Sequence, residues 1–366
     1  MNLNSYLIPI IYLLGLIQGI IFSILLIYLD KKNNRPTLLL GLFIFAYSIN
    51  YLKPIAKLLD LDKNYSFLNN LPVDFTWLLF PLFYVYIRNI SILPKSNKVY
   101  FYLLPGLLML IIDILVYLNL SSGLELLKLS KEFRFVNHIG GHLYDIFIYY
   151  KTYTFIKKHT EETNNQYTST TGKELQWAKT FMSIGLFFTL TLHFLPEITN
   201  KTLNLFIILI DVGLLYWISI YGLQQQTIKN LTQQKDSKIE KKNNLNSENK
   251  ISKVDKDLFN HIQQTIILHK KYKDPDLTIA DIANITNQHP KRISFVINEI
   301  SNKNFKTFIN GFRVNEAIEI LKSNNSKNYS IEGISLEVGF KSKSAFYSAF
   351  KKETGTTPTN YKNSFF

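Results

Sequence analysis

The chain of 366 residues contains no cysteine. That absence excludes a disulfide framework, a thiolate zinc site and a cysteine nucleophile together. Arginine is scarce too: Arg35, Arg88, Arg134, Arg292 and Arg313 stand among 41 basic residues. The positive charge is therefore mostly lysine, which meets phosphate as a point charge and lacks the bidentate fork of a guanidinium. No phosphate-cradling glycine loop, kinase or phosphatase signature, or nucleophile elbow occurs, so neither a catalytic site nor a cofactor is expected. Charge of either sign is sparse before Gln224 and dense after it. The net charge of +14 points to nucleic acid or anionic lipid and does not choose between them.

The charge-poor part holds seven apolar stretches, near residues 6–29, 37–59, 71–92, 99–120, 135–156, 178–196 and 202–223. Each is about 19–24 residues, or about 28–36 Å of helix, against a hydrocarbon core of about 30 Å. The fifth is the weakest, carrying His138, His142 and Asp145. The first has nothing basic before it and no small-residue cleavage site after it, so retention is expected rather than removal as a signal peptide. With the N-terminus outside, the inner loops carry eleven Lys and Arg and the outer segments five, and the basic C-terminal part falls in the cytoplasm. Tyr149, Tyr150, Tyr153, Trp177 and Trp217 then sit near inner ends of spans, and Pro54, Pro81 and Pro105 should kink theirs.

In that orientation most polar groups gather towards the outer side: Lys53, Lys57, Asp74, Asp113, His138, His142, His193 and Glu197. Asp145 and Asp211 lie near mid-depth and Arg88 towards the inner end. Ionisable groups in a bilayer face a cavity or a partner. The skew suggests a pocket open to the periplasm for a small charged or polar ligand; mutual pairing that holds the bundle together fits the same pattern. His138, His142 and Asp145, and the pair His193 and Glu197, also admit a reading from another class, an intramembrane metal-dependent enzyme with a regulatory tail. An HExxH-type context is missing, so no metal site is expected.

Residues 224–253, rich in Gln, Asn, Lys and Ser, read as a flexible linker, helical at its start. Beyond it, two helix-turn-helix patterns follow in tandem. Leu258, Ile262, Ile266 and Ile267 recur at helical spacing, and Asp274-Pro275-Asp276 ends that segment. Thr278 with Asp281 begins a capped helix whose buried face is Ile279, Ile282 and Ala283. A turn near 286–288 leads to Pro290 and a first recognition helix, with Ile293, Val296, Ile297 and Ile300 inward and Lys291, Arg292, Ser294, Phe295 and Asn298 outward. A long amphipathic helix follows over 305–322. Ser330 opens the second unit, whose buried side is read as Ile331, Ile334, Leu336 and Val338. Gly339-Phe340 makes its turn, and Ser342 caps a second recognition helix showing Lys343, Ser344, Tyr347 and Ser348 outward.

A major groove admits a helix and its polar side chains. Arg292 is the best fork for guanine; Lys291 and Lys343 suit base or phosphate; Phe295 and Tyr347 suit thymine methyls; Ser294, Ser344 and Ser348 share those outward faces. Lys351 and Lys352 would hold the DNA backbone, which positions without specifying. Arg313 is either a phosphate contact or an internal anchor.

Gly339-Phe340 with Phe350-Lys351-Lys352, then Gly355-Thr-Thr-Pro358 and Tyr361, resemble the AraC/XylS family of bacterial transcription regulators, as do Phe305, Asn310, Arg313 and Ala317 of the long helix. The resemblance covers about 255–362. It implies two helix-turn-helix units joined by that long helix, reading successive major grooves on one face of the DNA. Asn302 stands where the family has Gly, and Ser335 where it has Ala. The apolar part is similar to that of seven-span regulators carrying this domain, through Phe80-Pro81-Leu-Phe-Tyr84 and Leu104-Pro105.

The expected fold is all-α: a seven-helix transmembrane bundle (1–223), a linker (224–253) and an AraC-type domain with two helix-turn-helix units (254–366). The expected protein is a multi-pass DNA-binding regulator of the bacterial inner membrane. Its partners would be double-stranded DNA, the lipid bilayer, a small periplasmic ligand and a second copy in a homodimer.

Overall fold

The computed structural model describes residues 4–28, 35–65, 67–68, 71–118, 131–194, 201–236, 253–323 and 329–364. The chain divides into two units, one of Met1–His159 with Leu175–Gln234, the other of Thr160–Glu174 with Lys235–Phe366. Linker residues 237–252 and Glu197 lie outside the described residues, as do the side chains of His138 and His193.

The first unit is built from α1 (Asn4–Tyr28), α2 (Arg35–Ile49), α3 (Leu52–Leu58), α4 (Leu61–Asn64), α5 (Thr76–Ile90), a 3-10 turn (Asn97–Leu103), α6 (Leu104–Tyr117), α7 (Lys131–Gln166), α8 (Gln176–Phe194) and α9 (Lys201–Asp236). Helix α1 is apolar on every side: Leu16 and Leu26 are buried, yet Leu14, Ile17, Ile21 and Ile24 are exposed. A helix apolar all round belongs in a core or a membrane. Its Gly15 and Gly19 are spaced as a small-xxx-small pair, which lets helices approach closely. A methyl group on Gly19 would lie 2.3 Å from Ser48 Cβ of α2. The interior of the unit is aromatic, with the Phe83 ring 5.2 Å from Phe43 and 4.8 Å from Phe181 between ring centres, joining α2, α5 and α8.

Four described helical segments are long and apolar enough to cross a membrane: Leu7–Tyr28, Pro36–Leu58, Asn97–Tyr117 and Leu203–Tyr221. The sequence had suggested seven. Helix α5 has only 15 residues, or about 22 Å. Helix α7 runs 36 residues and carries Lys151, Lys157, Lys158, Glu161 and Glu162 in its second half. Helix α8 spends its start on Gln176 and Lys179. Pro54 follows a break between α2 and α3 at Asn50–Tyr51, the place where its ring meets the carbonyl four residues back. Pro105 lies in the first turn of α6, where the 3-10 turn passes into α-helix within the segment Asn97–Tyr117. Pro81 lies inside an unbroken α5.

The second unit contains α10 (Lys253–Leu268), a 3-10 turn (Lys271–Lys273), α11 (Ile279–Ile285), α12 (Pro290–Ser301), α13 (Phe305–Lys322), α14 (Ile331–Glu337), α15 (Lys343–Thr354) and α16 (Pro358–Asn363). Its starts and stops are chemical. Thr278 and Asp281 form a complete capping box, with Thr278 N donating to Asp281 Oδ2 at 2.8 Å and Asp281 N to Thr278 Oγ1 at 3.3 Å. Asn304, Ser330, Ser342 and Thr357 cap the later helices. Each such cap is worth about 1 kcal/mol. Asn302 takes the left-handed conformation that ends α12, the role a glycine would otherwise fill.

Two cores share α13. Phe305, Phe308 and Ile309 pack with Ile262, Ile282, Ile293 and Val296; Val314, Ala317 and Leu321 pack with Ile334, Val338, Phe346 and Phe350. Leu336 is exposed and Ser335 fully buried, reversing the expectation for α14. Helical spacing groups 331, 334, 335 and 338 on one side and puts 336 outside. Ser335 tolerates the apolar site because its hydroxyl donates to Glu332 O at 2.8 Å.

Candidate nucleic-acid interface

In the second turn, Gly339 has φ +96°, and a Cβ there would come within 2.6 Å of Lys273 O. Glycine is thus required by both conformation and space. The turn delivers α15, whose Phe346 and Phe350 are buried while Lys343, Ser344, Ser348, Lys351 and Lys352 are exposed. Spacings of four align 343 with 347 and 351, and 344 with 348 and 352, in two adjacent rows on the open side of the helix. Tyr347 shares its hydroxyl with Thr359 Oγ1 at 2.7 Å, and Lys343 Nζ lies 5.8 Å from the centre of its ring. Those contacts orient Tyr347 along the face.

Helix α12 presents Lys291 exposed, with Ser294 and Phe295 half-buried beside it. Phe295 also packs on the first core, so its ring has less freedom to approach a base. Arg292 departs most from expectation. Its guanidinium ion-pairs with Asp255, a carboxylate only 2 % exposed. Arg292, expected to be the best fork for guanine, is engaged by that buried carboxylate and ties α12 to α10.

Arg313, read as either a phosphate contact or an internal anchor, sits where an internal anchor would. It is 2 % exposed; its Nε donates to Tyr272 O at 2.6 Å and its Nη2 to Asp274 O at 2.7 Å. The guanidinium lies 5.4 Å from the centre of the Phe340 ring, which belongs to the second core. Burial lowers its pKa to about 10, still above neutrality, so the charge stays. Beside it Tyr272 donates to Glu316 Oε2 at 3.0 Å, and Lys273 ion-pairs with both Glu316 (3.0 Å) and Glu337 (3.3 Å). Hydrogen bonding from Lys273 holds the Glu316 carboxyl below its usual range. The segment after α10 therefore fastens both helix-turn-helix units to α13. The resemblance of the long helix drew attention to Arg313, but its carbonyl partners lie about 40 residues away and left no local signal.

The candidate sensing residues are less gathered. Lys57 and Asp74 are exposed, and the Asp74 carboxylate is engaged by Thr76, whose Oγ1 donates to it at 2.7 Å. Asp113 is buried, and Lys53 and His142 are half-buried. The first unit instead assembles a polar cluster that spacing did not reveal: Tyr47 and Tyr51 both donate to the Asp211 carboxylate, at 2.5 and 2.9 Å. Among the described residues no group of three or more His, Cys, Asp or Glu is placed to hold a metal.

A family model described as "Helix-turn-helix domain" matches residues 282–364. Among solved structures, the C-terminal domain of AraT, a response regulator from Geobacillus stearothermophilus, is 26 % identical; the match covers 31 % of this chain and 88 % of that one, with a TM-score of 0.26. No curated protein matches. The described helices and the family match agree on the C-terminal part of the chain: residues 282–364 are a helix-turn-helix domain, of a kind that binds DNA.

Proposed function

We propose that the chain is a membrane-anchored, sequence-specific transcription regulator of the bacterial inner membrane. One observation carries the reading: two capped helices with open, lysine-bearing faces, α12 and α15, follow a unit containing four membrane-length apolar helices. Lys291, Ser294 and Phe295 on α12 and Lys343, Ser344, Tyr347 and Ser348 on α15 are the proposed groove-facing residues. Lys351 and Lys352 are the proposed backbone contacts.

Orientation has a support beyond loop charge. Residues 160–174 belong to the same unit as the DNA-binding helices, so loop and domain lie on one side of the bilayer. The chain between them must then cross an even number of times. Leu203–Tyr221 is one crossing, which makes α8 the other despite its polar start. The shared side is the cytoplasm, where the DNA is.

Sequencing DNA cross-linked to the protein in its host, together with fractionation of the protein, tests this. Discrete promoter sites with a motif spanning two neighbouring major grooves are expected, with the protein in the membrane fraction. Uniform recovery across the genome, or a protein released by high salt, would overturn the reading.

A further inference from the structure

The second unit is discontinuous in sequence: residues 160–174, the last turns of α7 and the connection that leads to α8, are part of it. Tyr167 pairs in antiparallel fashion with Thr278, the N-cap of α11. Thr168 is 3 % exposed and gives both its backbone N–H (3.3 Å) and its hydroxyl (2.8 Å) to Leu277 O. Lys306, in the first turn of α13, donates to Thr170 Oγ1 at 2.9 Å, and the Thr170 hydroxyl donates in turn to Glu174 Oε1 at 2.6 Å. Burial lowers the Lys306 pKa, and Glu174 opposes that fall.

The fourth attachment has a consequence for DNA. Asn298 Nδ2 donates to Asn165 Oδ1 at 3.4 Å, and the side-chain oxygen of Asn298 is buried. Asn298 follows Lys291 by seven residues, Ser294 by four and Phe295 by three, so it continues the outward row of the first recognition helix. A helix that enters a major groove needs that row bare.

We propose that residues 160–174 form an internal strap that competes with DNA for the first helix-turn-helix unit. The proposal rests on the DNA-binding reading above. The attachments named above are hydrogen bonds, each of modest net strength, which makes the docking reversible. Both its ends continue directly into α7 and α8, so a displacement of either helix alters how firmly it docks. The membrane half thereby acts on DNA binding without a diffusible messenger.

The test uses the full-length chain in detergent or nanodiscs. Its lack of cysteine makes an engineered pair unique. Thr170→Cys with Lys306→Cys is bridged by a short bis-methanethiosulfonate and released by dithiothreitol. The probe is a fluorescent duplex made from the fragment most enriched by cross-linking in cells. The released protein should bind it about tenfold more tightly than the bridged protein, within the usual range of coupling between sites. Independently, Asn165→Ala with Thr168→Ala should bind more tightly than the parent. Failure of the pair to bridge, or equal affinity of bridged and released protein, overturns the strap while leaving DNA binding intact. If neither form retains the duplex, the DNA-binding reading itself falls, and the strap falls with it.

Discussion

The guanidinium of Arg292, on the first recognition helix, is ion-paired with the buried carboxylate of Asp255 at the start of α10. Removing one member of a buried pair strands the other, at a cost of about 3 kcal/mol. Arg292→Ala should therefore lower the urea midpoint of the C-terminal unit, and Asp255→Asn should be the milder change. Binding to specific and random duplexes should fall together, in proportion to the unfolded fraction. An unaltered midpoint with relaxed preference at one base would return Arg292 to base reading.

Lysines on α15 should behave differently. Lys352 is exposed and sits at the end of the helix, where a phosphate contact is the expected use. Lys352→Ala should weaken every duplex alike and reduce the slope of log K against log salt by about one unit. Stability should hardly move.

Acid should loosen the link between the two helix-turn-helix units. Glu316 has a depressed pKa, first through the Lys273 hydrogen bond, so its stabilisation is complete above the unfolded value of 4.5 and is lost as pH falls through the lower folded value. Glu316→Gln should make the unit less stable at neutral pH and flatten its acid limb. A parallel offset at all pH values would show that the carboxylate has no special part.

Close packing of α1 is testable by side-chain volume. Gly19→Val places carbon where Ser48 already lies, and should lower the amount of protein in the membrane. Gly213→Ala, which meets nothing within 4 Å, is the matched control and should leave abundance unchanged.

Topology follows from the strap. A reporter active only outside the cytoplasm should be silent when fused after Gly172 and silent at the C-terminus. Activity at Gly172 alone would separate the loop from the DNA-binding domain by a membrane and remove the even-crossing argument.

What the sequence determined by itself is everything that local chemistry and periodicity carry. The capped helices of both helix-turn-helix units were legible because Thr278, Pro290, Ser330, Ser342 and Gly355 act within a turn of their own position. Inward faces such as Ile293, Val296, Phe346 and Phe350 followed from spacing, although at α14 the same rule was misapplied to Leu336. Apolar composition marked the membrane half but overcounted its spans, because hydropathy along a line does not register a 15-residue helix or a charged second half.

Only the tertiary structure decided the fate of individual polar side chains. Arg292, Arg313 and Asp211 find their partners 37, 41 and 164 residues away, and nothing in the local pattern distinguishes a guanidinium bound for DNA from one bound for Asp255 or Tyr272 O. The strap at 160–174 is the extreme case. Its Thr, Asn and Tyr residues read as an ordinary loop, since hydrogen bonds to a distant backbone require no apolar period and leave none in the sequence.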